Sequence, residues 1–447
     1  MGPLTRAVAE YLEGNFSRFH TPGHKGKDRF APYFGWGELW RWDVTECAGL
    51  DSLFEASGPI RETEQRYSRL YGTADSLISA GGSTLCIQAM LALALKPGDS
   101  LLAVRGVHVS AVHAMALLDL HPQWVLPSID QTTGLVGAVS PEEVKRALAC
   151  NLNLKAVYLT SPNYFGAISD ISALSSICHS FGVPLLVDNA HGAHLAFLPQ
   201  NLHPIALGAD LCCDSLHKTL PVLTGGAMLH VGNQSYVPQA REKMALFGST
   251  SPSYPVMLSI DAALSYLETD IAGDSVRVAT AVEEAAIVAR EQGCLLPRFP
   301  LQDPWRLTLS AAPLGLDGPG LAAHLRKHRI EPELVSDQFC VLMASPGNDE
   351  EDFRRLAEGL RSLPRGSGRF FQPAGFTLPR QKVSLREAVF APSQTLPLEQ
   401  AVGKVAGAMV SPCPPGMALV VPGEEIDNQT AALLKSYGIF SIPVLHW

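Results

Sequence analysis

Two side chains, Lys218 and Asp188, have the types and settings that could do chemistry. Lys218 lies in Asp214-Ser215-Leu216-His217-Lys218-Thr219-Leu220-Pro221. The apolar run Ala209-Asp210-Leu211-Cys212-Cys213 before it reads as a strand. After it, Leu223 to Val231, relieved by Gly225 and Gly226, reads as a turn into another strand. A lysine between two buried strands is unusual, because lysine is rarely buried without a reason. Desolvation lowers its pKa and turns its amine into a nucleophile. The hydroxyls of Ser215 and Thr219 and the imidazole of His217 stand where they could hold a phosphate beside it. The plainer alternative is a surface loop with a solvated lysine.

Upstream, Val183-Pro184-Leu185-Leu186-Val187 is a second apolar run, read as a buried strand. It ends in Asp188-Asn189-Ala190-His191-Gly192-Ala193-His194. Open α/β sheets place functional carboxylates at the carboxyl ends of their strands. Taken alone, Asp188 reads more simply as a helix N-cap. Paired with Lys218, it suits pyridoxal phosphate, which needs a lysine for its aldehyde and an acid beside its pyridine nitrogen. A phosphate site is also in view. Ser76 to Ala80 reads as a strand, followed by Gly81-Gly82-Ser83-Thr84 and an apolar helix through Leu95. A glycine-rich turn into a helix N-terminus favours anions through free N–H groups and the helix dipole. Ser83 and Thr84 are its candidate hydroxyls. No Gly-Lys-Ser/Thr follows, so it is not a Walker loop.

The elements that must position these residues alternate. Strands are read at Ser100 to Val104 and Ala156 to Thr160, and helices at Ile60 to Tyr71 and Ile171 to Phe181. That alternation implies right-handed crossovers and a mostly parallel sheet. A long helix is expected from Pro255 to Leu267, and another from Val278 to Gln292. Beyond them lies a second α/β unit with Arg306-Leu307-Thr308-Leu309, a helix from Gly318 to His328, a strand from Phe339 to Ala344 and a helix from Glu350 to Leu363. A Pro/Gly/Arg-rich linker at Pro364 to Gly368 precedes the last segment. The expected domains are an arm at 1–19, a large cofactor-binding domain at 20–275, a small α/β domain at 276–365 and a terminal segment at 366–447.

Composition narrows the classes. The 447 residues are 47% hydrophobic and 17% charged, which fits a large apolar globular protein. A net charge of −9 argues against nucleic acid as the main partner. The nine cysteines are scattered without Cys-x-x-Cys spacing, so neither zinc nor a disulfide framework is expected, and reduced thiols suit a cytoplasmic setting. The opening residues lack a signal-peptide core. The apolar window Leu77 to Leu95 has nearly the length of a membrane span, but Gly81-Gly82-Ser83-Thr84 and Gln88 interrupt it. No membrane segment is expected.

Asp188-x-Ala190 followed by Ser215-x-His217-Lys218 resembles the pyridoxal-phosphate enzymes of the aspartate aminotransferase fold, fold type I. Thr21-Pro22-Gly23-His24-Lys25-Gly26 narrows the likeness to the bacterial ornithine/lysine/arginine decarboxylases. Asp43-Val44-Thr45-Glu46, Gly49-Leu50-Asp51-Ser52-Leu53, Pro412-x-Pro414-Pro415-Gly416 and Pro422-Gly423-Glu424 continue it in family order. The resemblance therefore covers His20 to Glu424. Two positions depart: Val109 stands after His108 where the family has lysine, and Cys413 stands where tyrosine is usual.

The resemblance implies decarboxylation of a basic amino acid (lysine, ornithine or arginine) to the amine and CO2. Lys218 and Asp188 would hold the cofactor, Ala190 would pack under its ring, and His108 would stack on it. His191 would reach the substrate carboxylate or the cofactor's phenol oxygen. Thr250 and Ser251 would reach a phosphate in a neighbouring subunit, giving a homodimer with shared sites. Candidate acceptors for the substrate's distal cation are Glu46, Asp51 and Glu424. The extra N-terminal domain of the longer family members is expected to be missing, since His20 lies close to the start. Other readings are an aminotransferase or C–S lyase on the same cofactor, or a silent regulatory homologue.

Overall fold

The computed structural model describes residues 1–18, 20–22, 24–27, 39–368, 376–412 and 416–446. Phe19 and Gly23 in the opening motif, and Cys413 with its flanking Pro414 and Pro415, lie outside the described residues. Seven strands form the main sheet: β1 (Asp75–Ser79), β2 (Ser100–Val104), β3 (His121–Val125), β4 (Leu154–Thr160), β5 (Leu185–Asp188), β6 (Leu211–Asp214) and β7 (Ala227–Val231). Their spatial order is β1-β7-β6-β5-β4-β2-β3. The sheet is mostly parallel, as the alternation predicted; β2 runs parallel to β3 and β4. β7 breaks the rule by pairing antiparallel with both β1 and β6. Strands β1, β5, β6 and β7 are buried along their whole length. Burial on both faces explains why β5, β6 and β7 read as largely apolar runs rather than as an alternating pattern.

The chain divides into two compact units, Met1–Leu93 with Asp188–Val276, and Ala94–Val187 with the residues from Arg277 on. In the first unit, the window from Leu77 resolves into β1 and the helix Gly82–Ala94. Among the described residues no helix is long and apolar enough to cross a membrane. The opening helix is Pro3–Glu13, and its Leu4 and Val8 are 0% exposed. Buried Asp261 accepts the backbone N–H groups of Leu4 (3.2 Å) and Thr5 (2.8 Å) at the helix start. An acid there satisfies donors that a helix cannot pair internally and suits the helix dipole. The long helix extends over Tyr254–Thr269, and the next over Ile271–Gln292.

In the second unit, β8 (Arg306–Leu309), β9 (Leu334–Val335) and β10 (Cys340–Met343) form a three-stranded antiparallel sheet ordered β8-β10-β9. β11 (Ser393–Pro397) and β12 (Ser441–Leu445) pair antiparallel, over an apolar cluster that includes Leu419, Val420, Leu434 and Val444. Arg105, just beyond β2, is wholly buried. It holds Glu424 through two N–H donors at 2.9 and 2.6 Å, and donates through Nε to the Ala418 carbonyl at 2.7 Å. Gly423 makes the turn before Glu424 possible. Its φ is +88°, and a Cβ would stand 2.4 Å from the Val383 carbonyl oxygen.

Candidate active site

Both chemical residues sit where the strand ends put them. Asp188 is the last residue of β5, and Asp214 is the last residue of β6. Ser215 caps a single helical turn, Leu216–Thr219, which carries His217 and Lys218. The segment after Asp188 brings His191 back toward that turn. His191 Nε2 lies 3.0 Å from Lys218 Nζ. His191 is 6% exposed and Asp188 1%, while Lys218 is half-buried. Asp188 accepts the backbone N–H of Ala190 at 3.1 Å and the Cys213 thiol at 3.5 Å. Burial, with Asp188 nearby, pushes the Cys213 thiol well above its ordinary range, so it stays a protonated donor.

The two strand ends are stitched together. The Asn189 N–H donates to the Cys213 carbonyl at 2.9 Å, and Asn189 Nδ2 donates to Asp214 Oδ1 at 2.7 Å. The glycine-rich turn is tied to the lysine turn as well. The Gly82 N–H donates to the Gly225 carbonyl at 2.9 Å, and the His217 N–H to the Gly226 carbonyl at 3.2 Å. Gly82 has φ +67°, and Ser83 and Thr84 follow it in the first turn of Gly82–Ala94, half-buried and exposed respectively.

Two buried hydroxyls have no hydrogen-bond partner among the described residues: Ser215 Oγ and Thr219 Oγ1. Unpaired buried hydroxyls cost free energy, and in a site they mark where a ligand supplies the missing acceptor. With a nucleophilic amine, a buried acid and a helix N-terminus, they fit the needs of pyridoxal phosphate. His217 contributes less than its position suggested, because its Nδ1 is engaged by the Gly226 carbonyl at 2.9 Å.

Thr250 and Ser251 are exposed in the turn between Val237–Phe247 and Tyr254–Thr269. In the second unit, His108 caps the helix Val109–Leu117, taking the Ser110 N–H on Nδ1 at 3.2 Å. The three candidate acceptors for a distal cation separate. Glu424 is 1% exposed, held by Arg105 and by the Val421 N–H at 2.8 Å, so its carboxylate is already engaged by the fold. Burial pushes its carboxyl up and Arg105 pulls against that shift. Asp51 accepts the N–H groups of Gly58 and Ile60 at 2.8–3.0 Å, serving the start of helix Pro59–Tyr71. Glu46 is exposed and accepts only the neighbouring Thr45 hydroxyl among the hydrogen bonds described. Within the opening motif, His24 pairs with Asp43 at 3.0 Å, and Lys25 donates to the His20 carbonyl at 2.5 Å.

The sequence reading missed a buried trio, His203, Asp214 and His230, directly before the lysine turn. The only signal was an aspartate preceding Ser215; the two histidines lie apart from it in sequence.

The family model for the major domain of Orn/Lys/Arg decarboxylases matches residues 2–296, and that for their C-terminal domain matches 377–439. The chain belongs to the ornithine/lysine/arginine decarboxylase family. Relatives within reach include an uncharacterized protein of Bacillus subtilis, 30% identical over 97% of this chain and 93% of that one. The arginine decarboxylase of Halalkalibacterium halodurans is 29% identical over 99% of this chain and 94% of its own. A solved lysine decarboxylase from Francisella novicida superimposes with a TM-score of 0.84 at 18% identity, covering 100% of this chain and 81% of that one. The fold is the fold type I expected of this decarboxylase family.

Proposed function

We propose that this protein is a pyridoxal-phosphate-dependent decarboxylase of a basic amino acid. The observation that carries the reading is the 3.0 Å approach of Lys218 Nζ to His191 Nε2, beside buried Asp188 at the neighbouring strand end. When bound, the cofactor supplies an electron-accepting ring conjugated to the amino acid's α-carbon. Lys218 Nζ would hold its aldehyde. His191 Nε2, 3.0 Å away, would exchange a proton with Lys218 Nζ. Asp188 holds the proton on the pyridine nitrogen. Ser83, Thr84 and Ser215, with the N–H groups opening Gly82–Ala94, hold the phosphate. Ala190 would be the small residue beside the ring. Lys218 Nζ or His191 Nε2 would supply the proton that completes the amine once CO2 has left.

Glu46 is the remaining acceptor for the distal cation, since Asp51 and Glu424 already serve the fold. Arginine is the first substrate to try, because a full-length relative carries the name arginine decarboxylase. The exposed hydroxyls of Thr250 and Ser251 suit a homodimer in which each subunit completes its partner's phosphate site.

The test supplies purified protein with pyridoxal phosphate and assays arginine, lysine and ornithine for amine and CO2. Borohydride should fix the cofactor on Lys218, and Lys218→Ala should abolish both labelling and turnover. A keto-acid product, label on another residue or no bound cofactor would refute the proposal.

A further inference from the structure

The mechanism above leaves the trio His203, Asp214 and His230 without a task. All three side chains are 0% exposed. His203 Nε2 lies 3.1 Å and His230 Nε2 3.3 Å from Asp214 Oδ2. Such a cluster is either a metal site or a hydrogen-bonded hub, and the proton positions separate the two. A ligating imidazole donates its remote N–H to an acceptor and leaves the near nitrogen bare. His203 does the reverse: its Nδ1 accepts the backbone N–H of Ile205. Its proton is therefore on Nε2, which donates to Asp214 and has no lone pair for a metal. His230 Nδ1 meets the Ser76 hydroxyl at 2.9 Å, and Ser76 Oγ also meets Thr73 Oγ1 at 2.7 Å. His230 Nε2 approaches Asp214 without completing a hydrogen bond among the described residues. Burial keeps His230 below its ordinary pKa although Asp214 pulls it up.

The result is a buried carboxylate facing two imidazoles. Burial alone would raise Asp214; His203 and His230 override it and hold the carboxyl well below the usual carboxylate range. Another donor is Asn189 Nδ2, at 2.7 Å from the second carboxylate oxygen. Asn189 sits between Asp188 and Ala190, and Asp214 immediately precedes the turn that carries Lys218. One carboxylate thus touches the chain next to the acid and lies in the chain that leads to the lysine.

We propose that Asp214 is a positioning residue which, through Asn189 and anchored by His203 and His230, sets Asp188 in register with Lys218. The inference rests on the reading of Lys218 and Asp188 as the cofactor's two anchors. It adds that their spacing is fixed from below, by a group that touches neither substrate nor cofactor.

Asn189→Ala removes the link and leaves the trio intact. Expected results are a folded protein that still binds pyridoxal phosphate, a kcat at least tenfold lower and a KM within threefold of wild type. The visible absorbance band of the bound cofactor, which reports the partner of its pyridine nitrogen, should shift. Asp214→Asn should lower kcat too, and the double variant should be no slower than the slower single one. An unchanged band in Asn189→Ala, at any kcat, overturns the proposal, as does a kcat within threefold of wild type. Effects that multiply in the double variant also overturn it. If Asp214→Asn does not fold, Asn189→Ala decides alone. Metal analysis of wild type gives a further check: one transition-metal ion per chain, lost in His203→Ala, would overturn the hub. Failure of the parent reading looks different, because wild type itself would then bind no cofactor.

Discussion

Asp214 and Glu424 are both buried acids, yet the protein balances them in opposite ways. Asp214 faces two imidazoles and an amide, each from a separate segment. It meets no guanidinium among these partners, and it lies next to the turn that bears Lys218. Glu424 faces the Arg105 guanidinium in a two-point pair, so the charges cancel locally. Arg105 also donates to Ala418 and stacks over Trp124 at 4.9 Å. The Glu424 pair is a staple joining the end of β2 to the segment 418–424. The difference teaches that burial of an acid does not by itself indicate a site. What matters is whether its partners neutralise it and which segments they hold.

The largest effect that sharpens this contrast is on the staple. Glu424→Ala leaves a buried guanidinium without its counter-ion, and breaking such a pair costs about 3–5 kcal/mol of stability. Denaturant unfolding should show that loss. If Glu424 bound the substrate's distal cation instead, stability would hold and KM for the amino acid would rise. The next effect belongs to the chemical side of the comparison. Asp188→Ala should leave the unfolding midpoint near wild type but lower turnover at least a hundredfold, about 2.7 kcal/mol of barrier. Steady-state kinetics on cofactor-saturated protein measures it, and a turnover within threefold of wild type would remove Asp188 from the mechanism.

The contrast also marks what the sequence could reveal. The strands were legible because buried parallel strands are continuous apolar runs, and Asp188 and Lys218 were legible because each follows one. Gly82-Ser83-Thr84 was legible because a strand, a glycine turn and an apolar helix follow in order. Partners far apart in sequence were not. Nothing near Glu424 announces Arg105, and nothing near Asp214 announces His203 and His230. The opening helix looked unsupported because its cap, Asp261, stands some 250 residues away in sequence. For the same reason three carboxylates looked equivalent as cation acceptors, although the fold had already engaged two.

Asp51 gives the smallest and most discriminating of these effects. Its carboxylate accepts the Gly58 and Ile60 N–H groups, at the start of Pro59–Tyr71, where the formal N-cap Gly58 has no side chain to offer. It therefore caps the helix from seven residues upstream, and the loss of such a cap costs about 1 kcal/mol. Asp51→Ala should lower the unfolding midpoint by that amount, while Asp51→Asn, which keeps an accepting oxygen, should lose less. Both variants should keep KM within twofold of wild type for the preferred amino acid. Glu46→Gln should do the opposite, raising KM at unchanged stability, because its carboxylate accepts no backbone N–H among the described bonds. A pair of results in the reverse sense would exchange their roles: Asp51 would be the substrate's acceptor and Glu46 a surface acid.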